Sequence, residues 1–250
     1  MQALILAAGC GKRLRPLTDY VPKSLVEVNG IPLLVNALEC LSGRGIGEVL
    51  LVVGDKKEMI VDRLGFRYKE MRIVYIDNPL YLETNNIYSF WLARPYVHDD
   101  VVMLECDLFY QRSLVDRVFD GDGECRILVS PFNREVMDGT VVTVDGGNQV
   151  KSLTIKREQG AGFDYSDKFK TVNIYWFNKD FILNKLFPFV ETYVKQQSVN
   201  SYYELVLGGL IYWGNSDIRA VCVDEVEWCE IDDMEDLKKA EKKLWIHEKS

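Results

Sequence analysis

The chain has 250 residues, 48% of them hydrophobic and 27% charged, with a formal net charge of -8. That is an ordinary globular composition, long enough for one large α/β unit or two small ones. No apolar run approaches the ~18 residues of a membrane span, and the acidic balance argues against a broad nucleic-acid-binding face. Cys10, Cys40, Cys106, Cys125, Cys222 and Cys229 form no C-x-x-C pair and sit mostly in apolar runs, so they read as reduced thiols. The two histidines, His98 and His247, stand in no motif, which argues against histidine-based catalysis. Leu6-Ala7-Ala8-Gly9-Cys10 has the outline of a lipoprotein cleavage site. No basic residue precedes it and the stretch is too short for a charged region plus an apolar core, so a cytoplasmic protein is expected.

The first element is an apolar run, Ala3 to Ala8, which reads as a buried strand feeding into the loop Gly9-Cys10-Gly11-Lys12-Arg13-Leu14-Arg15-Pro16 and on to Pro22-Lys23-Ser24-Leu25. Gly9 and Gly11 let the backbone turn and expose N–H groups, while Lys12, Arg13, Arg15 and Lys23 bring cations beside them. The pattern is an anion cradle, suited to a polyphosphate. It is not the dinucleotide fingerprint G-x-G-x-x-G, whose third glycine is replaced by Leu14. Nor is it the Walker loop, because Leu6 stands where that motif has its first glycine and Arg13 where it has a hydroxyl.

Leu25 to Gly30 then reads as a short strand closing on an Asn-Gly turn, and Pro32 to Leu41 as a helix ended by Gly43 and Gly45. Glu48 to Gly54 predicts a strand, Lys56 to Leu64 a helix and Arg72 to Ile76 a strand, an alternation that means a parallel sheet with right-handed crossovers. Thr84 to Ala93 predicts a helix capped by Thr84, and Val101 to Cys106 a core strand ending on Asp107. Asp107 is either a cap for the helix from Gln111 or, at a strand end in the sheet that carries the glycine loop, a metal ligand. The second half predicts strands at Arg126 to Pro131, Thr140 to Val144, Gln149 to Ile155 and Thr171 to Phe177, with an Asp145–Asn148 turn. Helices follow at Lys179 to Lys195 and Ser201 to Tyr212, then strands at Ile218 to Val223 and Val226 to Ile231, and a charged helix from Met234 to His247. The expected fold is α/β and Rossmann-like, a mixed and mainly parallel sheet flanked by helices. It is read as one domain over residues 1–250, with a nucleotide-binding half to about residue 125 and an acceptor-binding half after it.

The run A-A-G-x-G-x-R-L-x-P-x-T from Ala7 to Thr18, followed by Pro22-Lys23-Ser24-Leu25, resembles the signature of nucleotidyltransferases. These enzymes join a nucleoside triphosphate to a phosphorylated acceptor and release pyrophosphate, on the nucleotide-diphospho-sugar transferase type of fold. Lys12 departs from the pattern, which more often has Thr or Ser there. The resemblance implies Arg13 on the triphosphate and Lys23 on the α-phosphate, both as catalytic residues, although a surface salt bridge and a solvated lysine are the plain alternatives. It also implies Mg²⁺ held by Asp107 and by the aspartate of Glu230-Ile231-Asp232. Asp232 could instead cap the last helix with Glu235 completing a capping box, and Asp233 is the other candidate cap. The nucleotide would be held by Leu6, Ala8, Gly9, Gly11, Lys12 and Arg13, with Asn85, Asn86, Ser89 and Cys106 within reach.

Thr84-Asn85-Asn86-Ile87-Tyr88-Ser89, the run Met137 to Val142, Lys170 to Tyr175 and Tyr202-Tyr203-Glu204 look like cytidylyltransferases that act on phosphocholine or on phosphonates such as 2-aminoethylphosphonate. The implied partners are CTP and a small zwitterionic phosphonate or phosphate, with no nucleic acid, no membrane and a possible homodimer. Lys156 or Lys170 would serve the acceptor's anionic end, with Asn173 also in the acceptor set. Glu204 or Asp138, or an aromatic wall of Tyr175, Trp176 and Tyr203, would serve its cationic end. The aromatics are equally well read as core. A sugar-1-phosphate nucleotidyltransferase is the first alternative. A non-catalytic nucleotide sensor is the second, and would be expected to lack Lys23, Asp107 or Asp232, all of which are present.

Overall fold

The computed structural model describes residues 1–214, 216–223 and 227–243. Strands and helices alternate through the first half, because apolar runs without polar interruptions are separated by amphipathic stretches. They are β1 (Gln2–Ala7), α1 (Leu17–Tyr20), β2 (Glu27–Val28), β3 (Ile31–Pro32), α2 (Leu33–Leu41), β4 (Glu48–Val53), α3 (Lys57–Leu64), β5 (Arg67–Tyr68), β6 (Met71–Asp77), α4 (Asn86–Ala93), β7 (Val101–Glu105), β8 (Leu108–Tyr110) and α5 (Arg112–Val118). The second half is strand-rich: β9 (Cys125–Pro131), β10 (Val141–Val144), β11 (Val150–Thr154), β12 (Phe169–Phe177), α6 (Phe187–Gln196), α7 (Glu204–Trp213), β13 (Ile218–Cys222), β14 (Trp228–Glu230) and α8 (Met234–Lys242).

β1 lies between β4 and β7, parallel to both, and β6 continues the parallel run beyond β4. Leu6 is level with Val52 on one side and Glu105 on the other, so three strand ends open at one height. β12 crosses antiparallel to β7, with Ile174 opposite Leu104, and carries β9 and then β13 on its other edge. β10 and β11 extend the sheet from the start of β12. The mixed, mainly parallel architecture is therefore present, and one sheet runs through both halves of the chain.

Side chains alternate across the strands and build a core on each face. Leu4, Leu6, Leu50 and Val52 meet Ile87 and Phe90 of α4, Phe187 of α6 and Leu207 of α7 on one face. Ala3, Ile5, Val49 and Leu51 meet Leu34 and Leu38 of α2 and Leu114 of α5 on the other. Each such buried Val, Leu, Ile or Phe side chain contributes about 1.5–3 kcal/mol. Close approach fixes Gly54 beside the loop and Gly11 within it. A Cβ on Gly54 would lie 2.7 Å from the Ala8 carbonyl oxygen, and one on Gly11, which has φ of +56°, 2.9 Å from Lys23 Cβ.

Several boundaries differ from expectation. Asn85, not Thr84, caps α4 by accepting from the Asn86 N–H at 2.8 Å, while the Thr84 hydroxyl donates to the Leu80 carbonyl. α7 starts at Glu204 after a turn, and a π-helical turn at Phe181–Leu186 precedes α6. The strand β8 was not expected. Val226 and residues 244–250, with His247 and the end of the expected last helix, lie outside the described residues. All six cysteines are free. Among the described residues, no helix is long and apolar enough to cross a membrane.

Candidate active site

The glycine loop leaves β1 at the level where β4 and β7 also end, so its backbone is the floor of a cleft at the carboxyl edge of the parallel strands. The cleft has a volume of about 160 Å³. Leu6, Ala8, Gly9, Asn85, Asn86, Ser89 and Cys106 all line it together with Lys23 and Asp107, so seven of the ten residues expected around a nucleotide share one cavity. Gly11 sits one step back, packed on Lys23 and Thr18, and its carbonyl accepts from the Thr18 hydroxyl at 2.8 Å. Arg13 stands at the rim and Lys12 points to solvent.

Lys23 is the centre of the site. Its Nζ donates to Asp107 Oδ2 at 3.0 Å and to Asp232 Oδ1 at 2.8 Å, and Arg13 Nη2 lies 2.8 Å from the other Asp232 oxygen. Burial works against the ammonium, but the Asp107 and Asp232 charges outweigh it and hold the Lys23 pKa above its usual value. Burial likewise pushes Asp232 up, and Lys23 with Arg13 overcomes that and holds it low. Arg13 is raised by the same aspartate against its own partial burial, and Asp138 adds to the field.

Asp107 and Asp232 meet through a ribbon of two three-residue strands. β8 and β14 pair antiparallel with Leu108 opposite Glu230, and the Ile231 N–H donates to the Asp107 carbonyl at 2.7 Å. Asp107 therefore caps no helix; Gln111 occupies the cap position of α5. Asp233, not Asp232, caps α8. Its carboxylate accepts from the N–H groups of Glu235 and Asp236, and Asp236, not Glu235, closes the capping box. With Asp233 engaged as the cap, the Asp232 carboxylate is left to face the lysine.

Two carboxylates converging on one cation suit Mg²⁺, which takes one or two carboxylates and completes its shell with phosphate oxygens and water. Asp107 Oδ1 is buried without a hydrogen-bond partner, an acceptor available to such an ion. Among the described residues, no group of three or more His, Cys, Asp or Glu side chains forms a closed cage. The donor set fits an ion that arrives with ligands of its own.

Beside this centre lies an acidic pair. Asn86 Nδ2 donates to Glu105 Oε1 at 3.0 Å and to Glu204 Oε2 at 3.4 Å, while the Tyr203 hydroxyl donates to Glu105 Oε1 at 2.9 Å. Burial, then the nearby Asp107 and Glu204 charges, raise Glu105 well above the usual carboxylate range; burial pushes Glu204 up to about 6. Glu105 was concealed in sequence inside the core strand Val101 to Cys106. Its signal was its being the one charged residue in that run. Asn78, also unexpected, lines the cleft although almost fully buried, and donates to Thr84 Oγ1 at 3.1 Å and Ser89 Oγ at 3.0 Å.

The acceptor residues fare unevenly. Lys170 does not open into the cleft: it is buried, donates to the Thr171 carbonyl at 2.7 Å and pairs with Glu230 Oε2 at 3.3 Å. Asn173, in a left-handed conformation at a register shift of β12, donates to Glu230 Oε1 at 3.4 Å. Both residues therefore clamp the strand that delivers Asp232. Lys156 and Asp138 are exposed and pair with each other. Tyr175 and Tyr203 are fully buried. Trp176 is no wall of the cleft: it points to the opposite face of the sheet from Tyr175, and its ring lies under the Arg126 guanidinium at 3.7 Å.

A model of the nucleotidyl transfer family, described as "Nucleotidyl transferase", matches residues 2–244. The CMP-5'-(3-aminopropyl)phosphonate synthase of Streptomyces rubellomurinus is 31% identical over 96% of this chain, which spans 38% of that protein's length. The choline-phosphate cytidylyltransferase of Streptococcus pneumoniae is 28% identical over 82% of this chain and 93% of its own. The solved structure of the Streptococcus pneumoniae CTP:phosphocholine cytidylyltransferase has a TM-score of 0.77 at 23% identity, covering 96% of this chain and 97% of that one, a likeness of fold. The glycine loop, the lysine behind it and the match along almost the whole length agree, and the chain belongs to the nucleotidyl transferase family.

Proposed function

We propose that this protein transfers CMP from CTP to a small phosphonate or phosphate that also carries a positive charge, and releases pyrophosphate. The observation that carries the reading is Lys23 held between Asp107 and Asp232 at the mouth of the glycine-loop cleft. An anionic acceptor oxygen attacks the α-phosphorus; a new P–O bond forms as the bond to the β-phosphate oxygen breaks, and pyrophosphate leaves with that electron pair. No proton need move. The protein's work is then positioning and charge stabilisation.

The Gly9 and Gly11 backbone cradles the triphosphate, and Arg13 at the rim neutralises its outer phosphates. The Lys23 ammonium, already fixed by two carboxylates, follows the charge that shifts between acceptor, α-phosphate and leaving group. Asp107 and Asp232 would hold Mg²⁺, which supplies neutralisation of phosphate-oxygen charge when bound. Asn85, Asn86 and Ser89 line the place for the base. The preference for cytosine is supported by relatives named for CMP and choline-phosphate cytidylyl chemistry.

The test is pyrophosphate release with Mg²⁺, crossing CTP, UTP, ATP and dTTP against 2-aminoethylphosphonate, phosphocholine and glucose 1-phosphate. Turnover confined to CTP with a zwitterion is the expected outcome. Turnover with glucose 1-phosphate instead would assign the chain to sugar nucleotide synthesis, and silence across the grid would favour a nucleotide sensor.

A further inference from the structure

We propose that Asn78 sets the choice of base: by donating to the Ser89 hydroxyl it fixes that group as a donor which, beside the Asn85 amide, selects the two neighbouring acceptors that cytosine presents and uracil does not. The proposal rests on the reading of the cleft as a nucleotide site and names the residues behind its base preference.

Asn78 follows β6 and lines the cleft at 1% exposure. Its amide has no freedom to turn over. Oδ1 accepts from the Leu80 N–H at 3.0 Å, so Nδ2 must face the two hydroxyls, donating to Thr84 Oγ1 at 3.1 Å and to Ser89 Oγ at 3.0 Å. Both amide protons are spent there. The two hydroxyls differ in what they keep. Thr84 passes its own proton to the Leu80 carbonyl at 2.8 Å, whereas the Ser89 proton has no acceptor among the described residues. Ser89 also lines the cleft, so a proton held away from Asn78 is offered to a ligand there.

Asn85 supplies a second donor. Its Oδ1 is committed to the Asn86 N–H as the cap of α4, while its Nδ2 has no partner among the described residues. Asn85 and Ser89 stand four positions apart at the start of α4, hence as neighbours on one face, and both line the cleft. Asn86 adds nothing to this edge, because its Oδ1 accepts from the Tyr203 N–H and its Nδ2 is taken by Glu105 and Glu204. The start of α4 thus presents two side-chain donors and no uncommitted amide oxygen. Cytosine carries acceptors at O2 and N3 side by side. Uracil and thymine place an N3–H between two carbonyls, and adenine sets one acceptor, N1, beside its amino group. A donor meeting the uracil N3–H leaves both groups unpaired, which costs binding.

The experiment measures Kd by calorimetry, with Mg²⁺, for CTP, UTP and the triphosphate of 2-pyrimidinone riboside, which keeps O2 and N3 but lacks the cytosine amino group. It needs no acceptor, so it stands apart from the transfer reaction. The native protein should bind CTP about a hundredfold more tightly than UTP, and the pyrimidinone nucleotide within about tenfold of CTP. Ser89→Ala should bring CTP to within about tenfold of UTP, by weakening CTP alone. Asn78→Asp, measured above neutral pH so that the carboxyl is ionised, accepts from Ser89 and turns the serine lone pairs to the cleft; parity or a preference for UTP is expected. The ratio rather than either Kd is the readout, because a fold defect weakens both nucleotides alike. A pyrimidinone nucleotide that binds no better than UTP, or a ratio unchanged in Ser89→Ala, overturns the donor pair. A ratio unchanged in Asn78→Asp overturns the role of Asn78. Each of these outcomes leaves pyrophosphate release from CTP and an acceptor untouched, whereas binding of none of the three nucleotides overturns the nucleotide reading as well.

Discussion

Lys23 has three neighbours that decide its behaviour: Asp107, Asp232 and, through Asp232, Arg13. Removing one charge from such a half-buried knot leaves its partners uncompensated, at a cost of about 3 kcal/mol. Lys23→Met is therefore expected to lower the melting temperature, to abolish turnover, and to gain thermal stability on adding Mg²⁺ alone far more than the native protein does. A thermal melt with and without the ion checks this, and equal responses would contradict the placement of the carboxylates. The motif pointed to Lys23 and Arg13 from sequence, and the end of a core strand to Asp107. Asp232 and Asp233 were harder to separate, because adjacent aspartates before a helix satisfy the same cap pattern. Only the pairing of Asp233 with Asp236 decides which of them is left to face the lysine. Glu105 was hidden because its strand reads as continuous core, and nothing in a linear pattern shows that Asn86 and Tyr203 lie against it.

At the scale of elements, parallel strands and their helices were legible because fully buried strands leave unbroken apolar runs. β8 was not, and β14, expected within the strand Val226 to Ile231, gave no sign of its partner. The three residues of β8 hold too little periodicity to announce a strand, and its partner β14 lies more than a hundred positions away. The bulge at Asn173 was equally silent, since it changes conformation without changing the apolar pattern. Tertiary contact also fixes the junction between β4 and the glycine loop. Gly54→Ala would drive a methyl into the Ala8 carbonyl and the Tyr81 ring. It is expected to cost about 1–3 kcal/mol and to weaken CTP binding more than acceptor binding, as separate calorimetric titrations would show.

For the whole molecule, buried carboxylates set how stability varies with pH, and the two kinds act in opposite senses. Asp232 is held below its ordinary value by Lys23 and Arg13 despite burial, so its contribution is present above pH 3.8 and is lost as pH falls through its lowered folded value. Glu204 is pushed up by burial, from 4.5 to about 6. Its stabilising effect is present below 4.5 and is lost as pH rises through about 6, leaving a penalty of about 2 kcal/mol at neutral pH. Glu204→Gln should accordingly melt higher than the native protein at pH 8, with the gap closing toward pH 5. A constant gap would mean that the carboxyl is not desolvated. The order in which the chain is synthesised adds a consequence of the β8–β14 ribbon. A nascent chain ending before residue 228 already contains the glycine loop, β4 and β7, but the strand that docks Asp232 against Asp107 has yet to emerge. The strands around the cleft proposed for the nucleotide are thus synthesised first, whereas the carboxylate pair proposed for the metal is complete only once residues 228–232 are added.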